Sequence, residues 1–299
     1  MEQINNRSGD CRVQAQSFVI VIVNIVIACR LKGKVAVITG GARGIGAATA
    51  KLFYQHGAHV VIADILDELG SALADSIEGY YLHCDVSNES DVESVVQFAV
   101  SWKGRLDIMF NNAGIPGPSG SITNLDTKTT NGVLGVNLNG VVYGIKHAAR
   151  AMINAGRGGS IICMSSSAAL MTGLASHAYT LSKQSIIGIA KSCACELGAH
   201  GIRVNCVSPH GVPSEMLVGA YRSVFGNDSL SVDDVRKIVG ETGSLLRGRG
   251  ATMEDVAYAV MFLASGEEAG FITAQNLVVD GGFTSASTQH DAVSLLYRS

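Results

Sequence analysis

The stretch from Lys34 to Asp64, KVAVITGGARGIGAATAKLFYQHGAHVVIAD, constrains the fold more than any other part of the chain. Its opening run, KVAVIT, is apolar at consecutive rather than alternate positions, the pattern of a strand buried on both faces of a parallel sheet. A glycine-rich turn follows. Then come apolar residues at helical spacing, a closing Gly57, and a second short buried strand, HVVIAD. A strand, a helix and a second strand in this order form the repeating unit of an open α/β sheet.

The alternation continues along the chain. Helical patterns at 66–77, 90–102, 127–153, about 176–198 and 254–264 interleave with strand-like runs. Those runs are YYLHCDV (80–86), LDIMFNNAG (106–114), GSIICMSSS (159–167), IRVNCVSP (202–209) and NLVVDGG (276–282). Residues 214–248 mix polar and apolar side chains without a strand signal, as a lid over a substrate would. The pattern predicts an α/β fold: one doubly wound parallel sheet of about seven strands with helices on both faces. A chain that is 47% apolar and 16% charged, with 35 glycines, suits that architecture.

Net charge is −3 with no basic block, so nucleic acid is not an expected partner. The seven cysteines are odd in number and form no CxxC pair, which reads as buried thiols in a reducing compartment. No His/Asp cluster near Cys193 or Cys195 completes a metal site, so no metal is expected. The N-terminal run FVIVIVNIVIAC (18–29) would span roughly 18 Å as a helix, short of a ~30 Å hydrocarbon core. Residues 1–30 therefore read as a leader before a domain at 31–299, and the expected location is the cytoplasm. Targeting or membrane contact through 18–29 is the alternative.

The turn TGGARGIG carries the first chemistry. Gly40 permits a tight turn, Gly44 lets backbone approach a pyrophosphate, and Gly46 lets the following helix pack closely on the sheet. Helix N-terminal N–H groups at Gly44, Ile45 and Gly46 then face the anion. Asp64 closes the second strand where an acid binds a ribose 2′-hydroxyl and repels a 2′-phosphate. Arg43, inside the loop, pulls towards a 2′-phosphate. The balance favours NAD over NADP.

Tyr179 and Lys183 lie four residues apart, hence on one helix face. An ammonium ~4 Å from a phenol favours phenolate by on the order of 4 kcal/mol at an effective dielectric of ~20. That is enough to bring a tyrosine towards neutrality as a general acid/base.

TGxxxGxG, then Asn111-Asn112-Ala113-Gly114, then YxxxK in this order resembles the short-chain dehydrogenase/reductase family, and the later segments resemble its plant branch. The similarity runs from about Leu31 to Ser285. It implies a Rossmann-type fold and a tetrad of Asn137, Ser166, Tyr179 and Lys183. In that tetrad Tyr179 takes or gives the hydroxyl proton and Ser166 bonds the substrate oxygen. Lys183 tunes the tyrosine and grips the nicotinamide ribose, while Asn137 relays the proton through water. Ser166 is chosen from its triplet by its spacing from Tyr179, and Asn139 is the alternative to Asn137.

The resemblance also implies cofactor contacts from Asn112, Ala113 and Gly114, from Asp85 and Val86 at the adenine, and from Val212 and Ser214 at the carboxamide. The family's Pro-Gly reads Pro209-His210-Gly211 here, a departure that bears on pocket shape. His177 and His210 are candidate substrate contacts. Ala168, Leu170, Met171, Leu174 and 215–235 are the expected pocket wall for a lipophilic secondary alcohol or ketone: terpenoid, phenolic or steroid-like. A homotetramer or homodimer is expected. An NADPH-dependent carbonyl reductase, or an NAD-binding developmental regulator with incidental activity, are the other readings.

Overall fold

A computed structural model of the protein describes residues 29–246 and 248–286. Seven strands form one sheet in the order β3-β2-β1-β4-β5-β6-β7. They are β1 (Val35–Thr39), β2 (His59–Asp64), β3 (Tyr80–His83), β4 (Ile108–Asn111), β5 (Gly159–Met164), β6 (Ile202–Pro209) and β7 (Asn276–Val279). Every neighbouring pair is parallel. This is the doubly wound α/β architecture expected from the strand pattern.

The reason is visible in β1. Val35 and Val37 pack into one apolar cluster while Ala36 and Ile38 pack into another. Alternate side chains point to opposite faces, so a strand apolar at every position from Val35 to Ile38 needs cover on both. Helices α3 (Glu89–Lys103), α5 (Gly140–Asn154) and α6 (His177–Leu197) cover the first face. The second is covered by α1 (Gly44–Gln55), α2 (Asp67–Ser76) and α9 (Met253–Ala264). The strand order reverses between β1 and β4. A crevice therefore opens there at the carboxyl ends of the strands, where ligands of such sheets bind.

Two regions differ from the sequence expectation. The long helix of 127–153 is α4 (Thr127–Leu134) and α5 joined by a π-helical turn, Gly135–Asn139. Residues 214–248, which carry no strand signal and to which the sequence assigns no helix, hold α7 (Glu215–Phe225) and α8 (Val232–Thr242). Their Val218, Val235 and Val239 form a small cluster separate from the two main ones. Ser214 and Ser231 cap these helices, and Ser231 with Asp234 completes a capping box.

Leu31 is buried and its N–H donates to the His56 carbonyl, which anchors the entry into the sheet. Most of the apolar run at 18–29 lies outside the described residues. No helix among the described residues is long and apolar enough to cross a membrane. Cys84, Cys163 and Cys206 are buried, as expected, but Cys195 is exposed.

Candidate active site

The phosphate loop leaves β1 and enters α1, whose start differs from those of the other helices apart from α5, which continues directly from the π-helical turn. Asn88, Asp126, Ser176, Ser214, Ser231 and Thr252 each cap a helix with a side-chain oxygen. Helix α2 instead carries Asp67 and Glu68 in its first turn. Arg43, preceding α1, makes no side-chain cap, and no acid occupies the first turn. The first helical bond runs from Ala47 N to the Arg43 carbonyl, so the N–H groups of Gly44, Ile45 and Gly46 precede it and face outward. Uncapped N–H groups at the positive end of a helix dipole are an anion site.

The loop's shape fits the same ligand. Gly44 has φ +58°, and a Cβ there would meet nothing within 4 Å, so the space above it is open. Gly46 is the reverse: a Cβ would lie 2.1 Å from the Gly40 carbonyl oxygen and 2.7 Å from Asn112 Nδ2. Asn112 uses its amide to donate to the carbonyls of Thr39 (3.0 Å) and Gly40 (2.9 Å), stapling the β4 loop to the phosphate loop. Gly46→Ala is therefore expected to force the staple apart. Overpacking of this kind costs ~1–3 kcal/mol, so dinucleotide affinity should fall about tenfold or more. Fluorescence titration with NADH measures it.

Asp64 ends β2 beside this loop and is buried. One carboxylate oxygen accepts from Ala42 N (2.9 Å), the other from Ile65 N (2.8 Å) and Leu66 N (3.1 Å). The carboxylate is held rigidly against the loop and keeps one lone pair, on the oxygen that faces Ala42, for a ribose hydroxyl. Arg43 forms an ion pair with Glu215 at the start of α7. Asp85 is exposed and accepts from Ser87, whereas the Val86 side chain is buried in the core, leaving only its backbone to meet an adenine. An uncapped helix start, an open cleft above Gly44 and a fixed acid at the end of β2 together fit a dinucleotide.

The second half of the site gathers at the ends of β4 and β5 and the start of α6. Ser176 caps α6 and sets its first turn, which carries Tyr179. Of the serine triplet, Ser165 donates to the Lys183 carbonyl (2.8 Å) and Ser167 bonds His210 Nδ1 (2.8 Å). Ser166 is the one whose hydroxyl meets the Tyr179 phenol. Lys183 is buried and its Nζ donates to the Met164 carbonyl (2.9 Å), 5.5 Å from the centre of the Tyr179 ring.

Asn137 sits on the π-helical turn, fully buried. Its Oδ1 accepts from Ile115 N (2.8 Å) and its Nδ2 donates to the Ile115 carbonyl (3.0 Å) and Ser182 Oγ (3.2 Å). Asn139 is exposed and takes no part. A Cβ on Gly114 would lie 3.4 Å from both Asn137 Oδ1 and Lys183 Nζ, so these three groups adjoin. The π turn is what lets a buried amide face the cleft from within a continuous helix.

The ionisation pattern corrects the spacing argument. Burial pushes the Tyr179 phenol above its ordinary value, and only the Ser166 hydrogen bond opposes it. Burial also lowers Lys183 from 10.5 to about 8. Lys183 spends a proton on Met164 rather than on the phenol, so the expected depression of Tyr179 is absent. At neutral pH the phenol is protonated, the form that donates a proton to a carbonyl.

Other expected contacts are placed differently. Ala168 is buried in the 3₁₀ turn after β5, so it does not line a pocket, while Leu170, Met171 and Leu174 are exposed. Ser214 accepts from Leu217 N (3.2 Å) as the α7 cap, and Val212 is buried. His177 is exposed. His210 stacks on Phe283 at 3.9 Å, and burial lowers its pKa. Thr39 escaped the sequence reading. Its hydroxyl accepts from Asn112 N (3.0 Å) and Ala113 N (3.2 Å), fixing the turn after β4. No cluster of three or more metal-ligating side chains occurs among the described residues.

A family described as enoyl-(acyl carrier protein) reductase matches residues 40–284, the span from the phosphate loop to the end of the sheet. Short-chain dehydrogenase reductase ATA1 of Arabidopsis thaliana is 61% identical over 259 residues, covering 87% of this chain and 95% of that protein. The chain belongs to the short-chain dehydrogenase/reductase family. Sex determination protein tasselseed-2 of Zea mays is 47% identical, covering 86% of this chain and 83% of its own length. (+)-Borneol dehydrogenase 2 of Salvia officinalis is 46% identical, covering 86% and 92%. As a member of this family the protein is a nicotinamide-dependent oxidoreductase of the short-chain alcohol dehydrogenase type.

Proposed function

We propose that the protein is an NAD-dependent dehydrogenase of lipophilic secondary alcohols. The Tyr179–Ser166 contact beside Lys183, at the mouth of the cleft, carries the reaction type. A bound nicotinamide supplies the carbon that gives or takes hydride. Tyr179 moves the hydroxyl proton at its phenol oxygen, and Ser166 holds the same substrate oxygen as its charge changes. Lys183, Asn137 and the Ile115 backbone connect the phenol to the interior. Gly40, Gly44, Ile45 and Gly46 would hold the pyrophosphate, Asp64 the adenosine ribose, and Asp85 with the Val86 main chain the adenine. Ala113 and Gly114 would border the nicotinamide, with only the main chain of Val212 and Ser214 near it.

Asp64 supports NAD: a rigid buried carboxylate repels a 2′-phosphate and accepts from a hydroxyl. For the substrate, the exposed Leu170, Met171 and Leu174 after β5 offer apolar contact. Nearby arginines are engaged elsewhere. Arg222 donates to the Leu230 carbonyl, Arg236 pairs with Asp233, and Arg249 pairs with Asp255. Those apolar side chains suit a terpenoid, phenolic or steroid-like alcohol better than a phosphorylated one. The relative named as a borneol dehydrogenase acts in that chemical range.

Steady-state assays of the purified protein with NAD and NADP, over terpenoid, lignan and steroid alcohols, test this. NAD-linked oxidation of an uncharged bulky alcohol is expected. Preference for NADP would overturn the cofactor reading, and turnover confined to thioesters or phosphorylated substrates would overturn the substrate reading.

A further inference from the structure

Arg43 is the one residue of the phosphate loop that argues for a 2′-phosphate, and its side chain pairs with Glu215. The direction of that pairing is informative. Ala42, the preceding residue, touches Asp64 at the end of β2, so Arg43 starts beside the adenosine ribose position. Glu215 opens α7, which follows β6. In the strand order, β2 and β6 lie on opposite sides of β1. The ion pair thus turns the guanidinium across the crevice, towards the nicotinamide end and away from the position a 2′-phosphate would occupy.

We propose that Glu215 is a determinant of cofactor choice, acting by holding Arg43 away from the adenosine ribose so that Asp64 alone meets the 2′ position. This rests on the NAD reading above and adds to it a residue 172 positions from the loop it governs. Asp64 excludes a 2′-phosphate by repulsion at close range, while Glu215 removes the one loop cation that would offset that repulsion. Both partners are substantially exposed, with side chains 57% and 71% accessible. The hold is therefore modest, and it weakens as salt screens it.

The test is equilibrium binding, read as nicotinamide fluorescence with NADH and with NADPH. These two ligands differ only in the 2′-phosphate. In Glu215→Gln, which keeps shape and removes the charge, NADPH affinity is expected to rise about two- to fivefold, the upper part of the range of exposed ion pairs. NADH affinity should move less than twofold. In an Arg43→Gln background the same Glu215→Gln change should have no selective effect, because no guanidinium is left to release.

An equal gain for both ligands in Glu215→Gln would overturn the proposal, as would a selective gain that persists without Arg43. The first would mean general relief of negative charge. The second would mean direct repulsion between Glu215 and the 2′-phosphate. No change for either ligand would overturn it as well. If the unmodified protein binds NADPH more tightly than NADH, the NAD reading itself fails, and that comparison is made before any substitution.

Discussion

Tyr179→Phe is expected to lower kcat by ~10²–10⁴-fold, the range over which positioned general acid/base groups act. The ring stays, so packing at the start of α6 is kept, and the phosphate loop is untouched. NADH should bind as it does to the unmodified protein. What is lost is the hydroxyl that meets Ser166 and exchanges a proton with substrate oxygen. Because burial raises the phenol's pKa, alcohol oxidation, which needs the phenol to accept a proton, should accelerate as pH climbs from neutral towards alkaline. The residual rate of the phenylalanine variant should lack that rise. Retention of more than about a hundredth of wild-type kcat would remove Tyr179 from the proton transfer. Steady-state rates from pH 6 to 10, paired with fluorescence titration of NADH, separate loss of chemistry from loss of binding.

The sheet was legible because its strands run apolar at consecutive positions, with cover on both faces. A strand such as Val35–Thr39 is apolar at every position that feeds the two core clusters, and that signal survives without any knowledge of partners. Strand limits were read a few residues too long wherever the catalytic loops begin, as at 106–114 against Ile108–Asn111. There the apolar run passes into turn residues that have left the ladder. The lid helices were missed for the opposite reason. Val218, Val235 and Val239 pack against each other in a small cluster, which needs only a narrow apolar stripe, too sparse to register as periodicity. The signal that was available was the caps, Ser214 and the Ser231-to-Asp234 box.

The site divides along a different line. The side chains proposed to carry the chemistry have letters, and the structure brings Asn137, Ser166, Tyr179 and Lys183 close together. The groups that hold them there are largely main chain. Met164 and Ile115 act through carbonyl and N–H groups that any residue has, so no sequence pattern could single them out. Ionisation was the least legible property. Spacing placed an ammonium beside a phenol, but the balance between that attraction and burial depends on depth in the fold. Burial dominates for both groups.

That balance makes Lys183 costly to the fold. Its pKa drops from 10.5 to about 8 on folding, so the folded protein holds the proton less tightly than the unfolded chain does. Below about pH 8 both states are protonated and the penalty is constant, on the order of 3 kcal/mol for a shift of this size. As pH rises from about 8 to 10.5 the unfolded chain binds the proton that the folded one has shed. Stability therefore climbs across that window and the penalty is gone above it. Lys183→Met keeps the length of the side chain and removes the charge, leaving the Met164 carbonyl without its donor at a cost of about 1 kcal/mol. The variant should thus be more stable than the unmodified protein by on the order of 2 kcal/mol at pH 7. Above pH 10.5 it should be slightly less stable. Turnover should meanwhile fall by ~10²-fold or more, as when a preorganised charge is removed from a reaction centre. Urea unfolding of both proteins at pH 7 and pH 10.5, with kcat measured alongside, decides it. A variant less stable at pH 7 would mean that Lys183 is held in the fold by compensating contacts. A more stable but inactive one would mean that the chain retains a buried ammonium against its own stability, for the chemistry at Tyr179.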